Sequence, residues 1–157
     1  MSLERKVAIL DAIESIRRIS ALYAKAGDAQ NDAKQMRKLF ADDAVLEAKG
    51  FGRYEGLDEV LGGLAQASSE RVLWGMHFPV SPIIDISEDL QSAHAFWWLW
   101  EVTVMRSEDG LETESMFLGA NYDTDLVLID GEWKIKHMTL DVKTTIPFKG
   151  GSIPEPS

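Results

Sequence analysis

The sequence predicts a single α+β domain, with helices first and a curved, mixed and mainly antiparallel sheet after them. Three observations predict it. Apolar residues recur at helical spacing through the first 27 residues and again over 57–67, and alternation with a period of two holds from residue 71 to about residue 143. The Asp-Gly pairs at 109–110 and 130–131 stand where hairpin turns would join the later strands. Helices followed by strands leave the helices to cover one sheet face and to enclose a cone-shaped hydrophobic pocket between the layers.

The elements follow in order. Val7, Leu10, Ile13, Ile16, Ile19, Ala21 and Tyr23 mark one side of a long first helix that ends near Gly27. Asn31 or Asp32 caps a second helix through Met36, Leu39 and Phe40, after which Ala41 to Ala44 turn into a strand at Val45 to Ala48. Gly50, Gly52 and Gly56 punctuate a short extended piece carrying Arg53 and Tyr54. Leu57 to Ala67 reads as a third helix, with Val60, Leu61 and Leu64 on one side and Asp58 near its positive end. Four long strands span 71–86, interrupted at Pro79 and Pro82, then 91–105, 113–128 and 133–142. The domain is expected over residues 1–145, and Ile146 to Ser157, with three of the five prolines, as a tail or arm.

With 157 residues, 45% of them hydrophobic, the chain has the material for one core. Twenty-six acidic against 16 basic residues give a net charge of −10, which repels phosphate backbones and anionic lipid. Nucleic acid and membrane surfaces are therefore not expected partners, and a small hydrophobic molecule is. The absence of cysteine rules out a disulfide framework, a thiolate nucleophile and a cysteine zinc site. Together with the lack of a secretory pattern and of any run of about 18 apolar residues, it leads us to expect a cytoplasmic protein.

In the strand 91–105, His94, Phe96, Trp98, Trp100 and Val102 share one face and Ala95, Trp97, Leu99 and Glu101 the other, and both are apolar. The pocket wall is expected to comprise Trp74, Trp98, Trp100, Leu118, Ala120, Met138, Leu46 and Val142. Trp97 and Leu99 are then left for contact with a second copy. Asp28 follows the first helix, and His77 lies in the apolar run Val72 to Phe78. Taken alone, Asp28 reads equally as a loop acid or helix cap, and His77 as a core histidine bonded to backbone. His94 reads as an exposed strand-end residue and His137 as sheet packing. Three scattered histidines without a second acid at ligand spacing make no metal site.

The order Tyr-Ala-x-x-x-Asp at 23–28, Leu-Phe-Ala-Asp-Asp-Ala-Val at 39–45, Gly-x-Tyr-x-Gly at 52–56, Met-His at 76–77, Tyr122 and Asp-Gly-x-Trp-Lys-Ile at 130–135 resembles the SnoaL-like group of the NTF2-like superfamily. Within it the chain is most similar to hexachlorocyclohexane dehydrochlorinase and scytalone dehydratase. That resemblance implies an NTF2-like cone, no cofactor, and a catalytic pair in which His77 is the base and Asp28 its orienting partner. It also implies a homo-oligomer, dimer or trimer. The pair is chemically apt, because a carboxylate on one imidazole nitrogen fixes the tautomer and stabilises the cation formed when the other nitrogen takes a proton.

Departures refine the expectation. The dehydrochlorinase's pocket lysine corresponds to Tyr23 here and its pocket arginine to Met138, so the cations that assist a departing chloride are missing. Tyr23 and Tyr122 offer neutral phenols suited to oxygen. The expected activity is a cofactor-independent lyase or isomerase acting on a small apolar cyclic substrate, with Tyr23 and Tyr122 as hydrogen-bond donors. The alternatives are a hydrolase or aldol cyclase of the same fold, or a non-catalytic binding or assembly module resembling the small subunit of ring-hydroxylating dioxygenases.

Overall fold

The structure, a computed structural model, describes residues 1–107 and 110–149. Helix α1 (Leu3–Asp28) is capped by the Ser2 hydroxyl, which accepts from the Arg5 N–H at 3.2 Å. Ala12, Ile16, Ile19, Tyr23 and Ala26 form its buried stripe. Val7 and Leu10, expected on that stripe, are exposed, since burial of the helix begins only at Ala12.

Helix α2 (Ala33–Met36) is a single turn, capped by the Asp32 carboxylate accepting from the Gln35 N–H at 2.9 Å. It stops short of the expected Phe40 because Phe40 already pairs with Ile135 in the sheet. Strand β1 (Phe40–Ala48) thus contains Ala41 to Ala44, expected as a turn, as the stretch where its register to the neighbouring strand slips. Strand β2 (Gly52–Glu55) and helix α3 (Leu57–Glu70) come next, and the helix runs three residues past the expected Ala67.

The long strands are β3 (Val72–Ile86), β4 (Ser92–Arg106), β5 (Thr113–Ile129) and β6 (Glu132–Phe148). Among the described residues, six strands lie in one sheet of order β2-β1-β6-β5-β4-β3, antiparallel except where β1 meets β6. Asp130 and Gly131, at φ 51° and 81°, make the left-handed turn between β5 and β6. The other Asp-Gly pair lies partly outside the described residues. Pro79 is tolerated because β3 is an edge strand with no partner on its far side, and Pro82 sits where the register slips between Val80 and Ile83. Strand β6 continues through Ile146, opposite Phe117, to Phe148, so the expected tail begins inside the sheet. Residues 150–157 of that tail lie outside the described residues.

The register decides which face is covered. Trp97 stands opposite Tyr122, Leu99 opposite Ala120 and Glu101 opposite Leu118, while Tyr122 meets Leu140 and Thr124 meets Met138 across the next ladder. These residues form the inner face beneath the helices, where Trp97 is 1% exposed. Trp98 and Trp100 point outward and are 49% and 43% exposed. The expected assignment of faces on β4 is therefore inverted. Trp98 meets Phe96 edge-on at 5.1 Å, and Trp100 stacks on Phe117 at 5.9 Å. Gly119 makes room for that outward ring, since a Cβ there would lie 3.0 Å from Trp100 Cζ3.

Candidate active site

Strand β3 carries His77 on its inner face, and α1 ends where Asp28 reaches the strand's open edge. One carboxylate oxygen, Asp28 Oδ1, accepts both from the His77 backbone N–H at 2.9 Å and from the ring Nδ1 at 2.8 Å. Nδ1 therefore carries the proton, and Nε2 presents its lone pair to the interior. Gly27 permits this approach of helix and ring: a Cβ there would stand 3.2 Å from His77 Cε1. Gln30, at φ 59°, donates to the Leu73 carbonyl at 3.1 Å and so covers more of the same edge. Asn31 donates to the Leu64 carbonyl at 2.9 Å and to the Ser68 hydroxyl at 2.6 Å, fixing the loop to α3.

Beneath these groups lies a cavity of about 100 Å³. It is smaller than the roughly 150 Å³ of an apolar cavity that takes benzene, so a single ring is the upper bound on its occupant. Leu46, Leu64, Leu118 and Leu140 supply apolar wall, and Phe51 and Tyr54 close one side. Tyr54 lies flat on α3 only because residue 63 is glycine, where a Cβ would fall 2.4 Å from the Tyr54 ring. His77, Tyr23, Tyr122 and Glu101 supply the polar groups that converge on the cavity. Among the described residues no lysine or arginine lines it.

Glu101 is the site residue that sequence reasoning missed. It faces His77 across the β3–β4 ladder, with Oε2 3.6 Å from His77 Nε2. Because the His77 N–H goes to Asp28, the two residues form a non-hydrogen-bonded pair, the kind in which facing side chains come closest. The available signal was the lone acid at an inner position of an otherwise apolar strand.

Burial sets the electrostatics. It pulls the His77 pKa down, but the Asp28 hydrogen bond and the charges of Glu101 and Asp28 outweigh it, and the net shift is upward. Burial raises Glu101, with His77 and the Thr103 hydroxyl opposing and Asp28 reinforcing. Tyr23 is pushed up to about 12 by burial, with Tyr122 opposing and Glu101 adding, and Tyr122 is raised well above its ordinary value by burial, then by Tyr23 and Glu101. Both phenols thus stay neutral, and they hydrogen-bond each other.

The other expected site residues divide. Tyr23, Tyr122, Leu46 and Leu118 line the cavity, while Met138 and Ala120 are buried in the core and Val142 packs against it. Trp74 pairs with Val104 on the outer set and contributes its carbonyl as acceptor from the Thr103 hydroxyl at 2.9 Å. Trp98 and Trp100 flank a shallow outer groove with Lys143 and do not line the cavity. They are corrected as pocket residues because the helices cover the opposite face. His94 is half exposed and binds Asp125 at 2.9 Å; His137 lies 3.1 Å from Glu47.

The geometry can be set beside known proteins. Hexachlorocyclohexane dehydrochlorinase LinA-type3 from Novosphingobium barchaimii LL02 superposes with a TM-score of 0.82 at 16% identity, covering 96% of this chain and 99% of that one. A protein from Novosphingobium aromaticivorans DSM 12444, named as a candidate scytalone dehydratase, gives 0.75 at 21% identity with 94% of each chain covered. A candidate aromatic ring hydroxylase from Novosphingobium aromaticivorans gives 0.72 at 17% identity, covering 89% and 94%. A search of curated proteins finds no sequence match. The likeness to solved structures fixes the architecture as the NTF2-like cone. The model of the SnoaL-like domain matches residues 8–139, from the first helix to the last strand, and the chain belongs to that family.

Proposed function

We propose that the protein is a cofactor-independent lyase or isomerase that abstracts a proton from a small, largely apolar ring. The observation that carries the reading is the 2.8 Å contact of Asp28 with His77 Nδ1, which leaves Nε2 facing a cavity that Tyr23 and Tyr122 also line. His77 is the general base, a role typically worth about 10² to 10⁴ in rate. Asp28 orients the ring and stabilises the imidazolium. Tyr23 and Tyr122 hydrogen-bond the oxygen on which negative charge develops, within an apolar wall that strengthens such bonds. Names of similar structures, a dehydrochlorinase and a candidate dehydratase, belong to elimination chemistry and favour the same class. The lack of a lysine or arginine at the cavity favours a departing or polarised oxygen over a departing chloride.

Hydrogen exchange at carbon tests this without the natural substrate. In D2O the protein is expected to accelerate exchange of the α-hydrogens of cyclohexanone, followed by proton NMR, and His77→Ala to return the rate to that of buffer. Asp28→Asn should lower it by about 10²-fold or more, as loss of the correct tautomer does. Equal rates for the wild type and His77→Ala would sink the reading.

A further inference from the structure

Glu101 lines the cavity yet has no part in the reaction proposed above. We propose that Glu101 is a second proton-transfer group, giving its proton to the substrate's oxygen while His77 removes one from carbon, so that the preferred substrate is an uncharged ring alcohol with an acidic C–H beside the carbon that bears the hydroxyl. The inference rests on the Asp28–His77 reading and adds the acid that the reading lacks.

Geometry assigns the role. At 3.6 Å the Glu101 carboxyl is too far from His77 Nε2 for a direct hydrogen bond, so neither group saturates the other, and both face the same cavity. The space between them is kept open by Gly75, two residues before His77. A Cβ at Gly75 would stand 3.0 Å from Glu101 Oε1 and 3.4 Å from His77 Cε1. The Glu101 side chain is 8% exposed, and the titratable groups around it are His77 on β3, Tyr122 on β5, and Tyr23 and Asp28 on α1. None is a lysine or arginine. Burial raises the Glu101 carboxyl and outweighs the opposing His77 charge and Thr103 hydrogen bond, which moves it toward the neutral form. An anionic substrate would enter beside the Asp28 carboxylate with no lysine or arginine lining the cavity among the described residues, which disfavours carboxylates and phosphates.

The step balances. His77 Nε2 takes a proton from carbon, and the electron pair left behind forms the new C=C bond as the neighbouring C–O bond breaks. The departing oxygen takes the Glu101 proton and leaves as water. Imidazolium and carboxylate then face each other across the gap, and transfer of the proton from Nε2 to Glu101 restores the starting state. Tyr23 and Tyr122 remain protonated throughout and serve as donors only.

The probe is 3-hydroxycyclohexanone in D2O, in which exchange at the carbon beside the carbonyl and loss of water to the enone are read from one NMR spectrum. Glu101→Gln is expected to lower the ratio of water elimination to carbon exchange by about 10²-fold or more, each variant's own exchange rate serving as the measure of its base. Glu101→Asp, which keeps an acid, should recover part of the elimination. His77→Ala should lose both signals, so failure of the base and failure of the acid are separated. In the wild-type protein, carboxyl ¹³C NMR, with the resonance assigned by its loss in Glu101→Gln, should show Glu101 titrating above the ordinary carboxylate range. Elimination by Glu101→Gln at the wild-type rate, or a Glu101 carboxyl that titrates in the ordinary range, overturns the proposal while leaving the Asp28–His77 pair standing.

Discussion

At the scale of single residues, the site is a competition between desolvation and pairing. His77 is raised despite its burial because Asp28 and Glu101 approach opposite ring nitrogens, and Glu101 is raised because the surrounding phenols bring no charge to offset burial. Both shifts have one sign for stability. A group whose folded pKa exceeds its unfolded value contributes fully below the unfolded value, near 6.5 for histidine and near 4.3 for glutamate, and that contribution is lost as pH rises through the folded value. The wild-type protein should therefore lose stability relative to Glu101→Gln as pH climbs from the ordinary glutamate value through the raised folded value. Melts followed by circular dichroism test this, and a gap between the two proteins that stays constant with pH would show Glu101 titrating ordinarily. Asp28 and His77 were legible in the sequence through the motifs that flank them. Glu101 was not, because only cross-strand register places it opposite His77.

At the scale of elements, pattern found the helices and strands in their order but began β1 five residues late, ended β6 six residues early and failed to choose a face of β4. Alternation identifies the buried side of a strand by contrast, and β4 has little: Ala95, Trp97 and Leu99 on one side answer Phe96, Trp98 and Trp100 on the other. The acid that follows them, Glu101, lies on the buried side, so charge does not mark the solvent face either. Strand β1 was legible only from Val45 because its first half is irregular, and its parallel pairing with β6 leaves no local turn signal to read. The inversion makes a measurable difference. Trp97→Ala empties a fully enclosed site and should cost about 3–5 kcal/mol in denaturant unfolding, a loss independent of protein concentration. Had Trp97 faced a partner subunit, the loss would instead diminish on dilution.

At the scale of the whole molecule, the outer sheet face stands out. Met76, Phe78, Val80, Trp98 and Trp100 are each more than 40% exposed on adjoining strands β3 and β4. So extensive an apolar surface on a chain of net charge −10 calls for cover, and a sheet face meeting its own copy by rotation is self-complementary. The homo-oligomer expected through Trp97 and Leu99 is thus expected through this face instead. Light scattering should find more than one chain per particle, and the double substitution Trp98→Ser with Trp100→Ser should give a monomer whose cavity still binds a neutral ring. A monomeric wild-type protein at tens of micromolar would rule this out. The clasp between Asp28 and the open edge of β3 has a further consequence. Because its carboxylate also accepts from a backbone N–H on the outer edge of β3, an aspartate here covers that edge whether or not any reaction occurs. Asp28→Asn, whose remaining oxygen can still accept from that N–H, should therefore leave the edge closed while changing how the ring is held, whereas Asp28→Ala should disturb both.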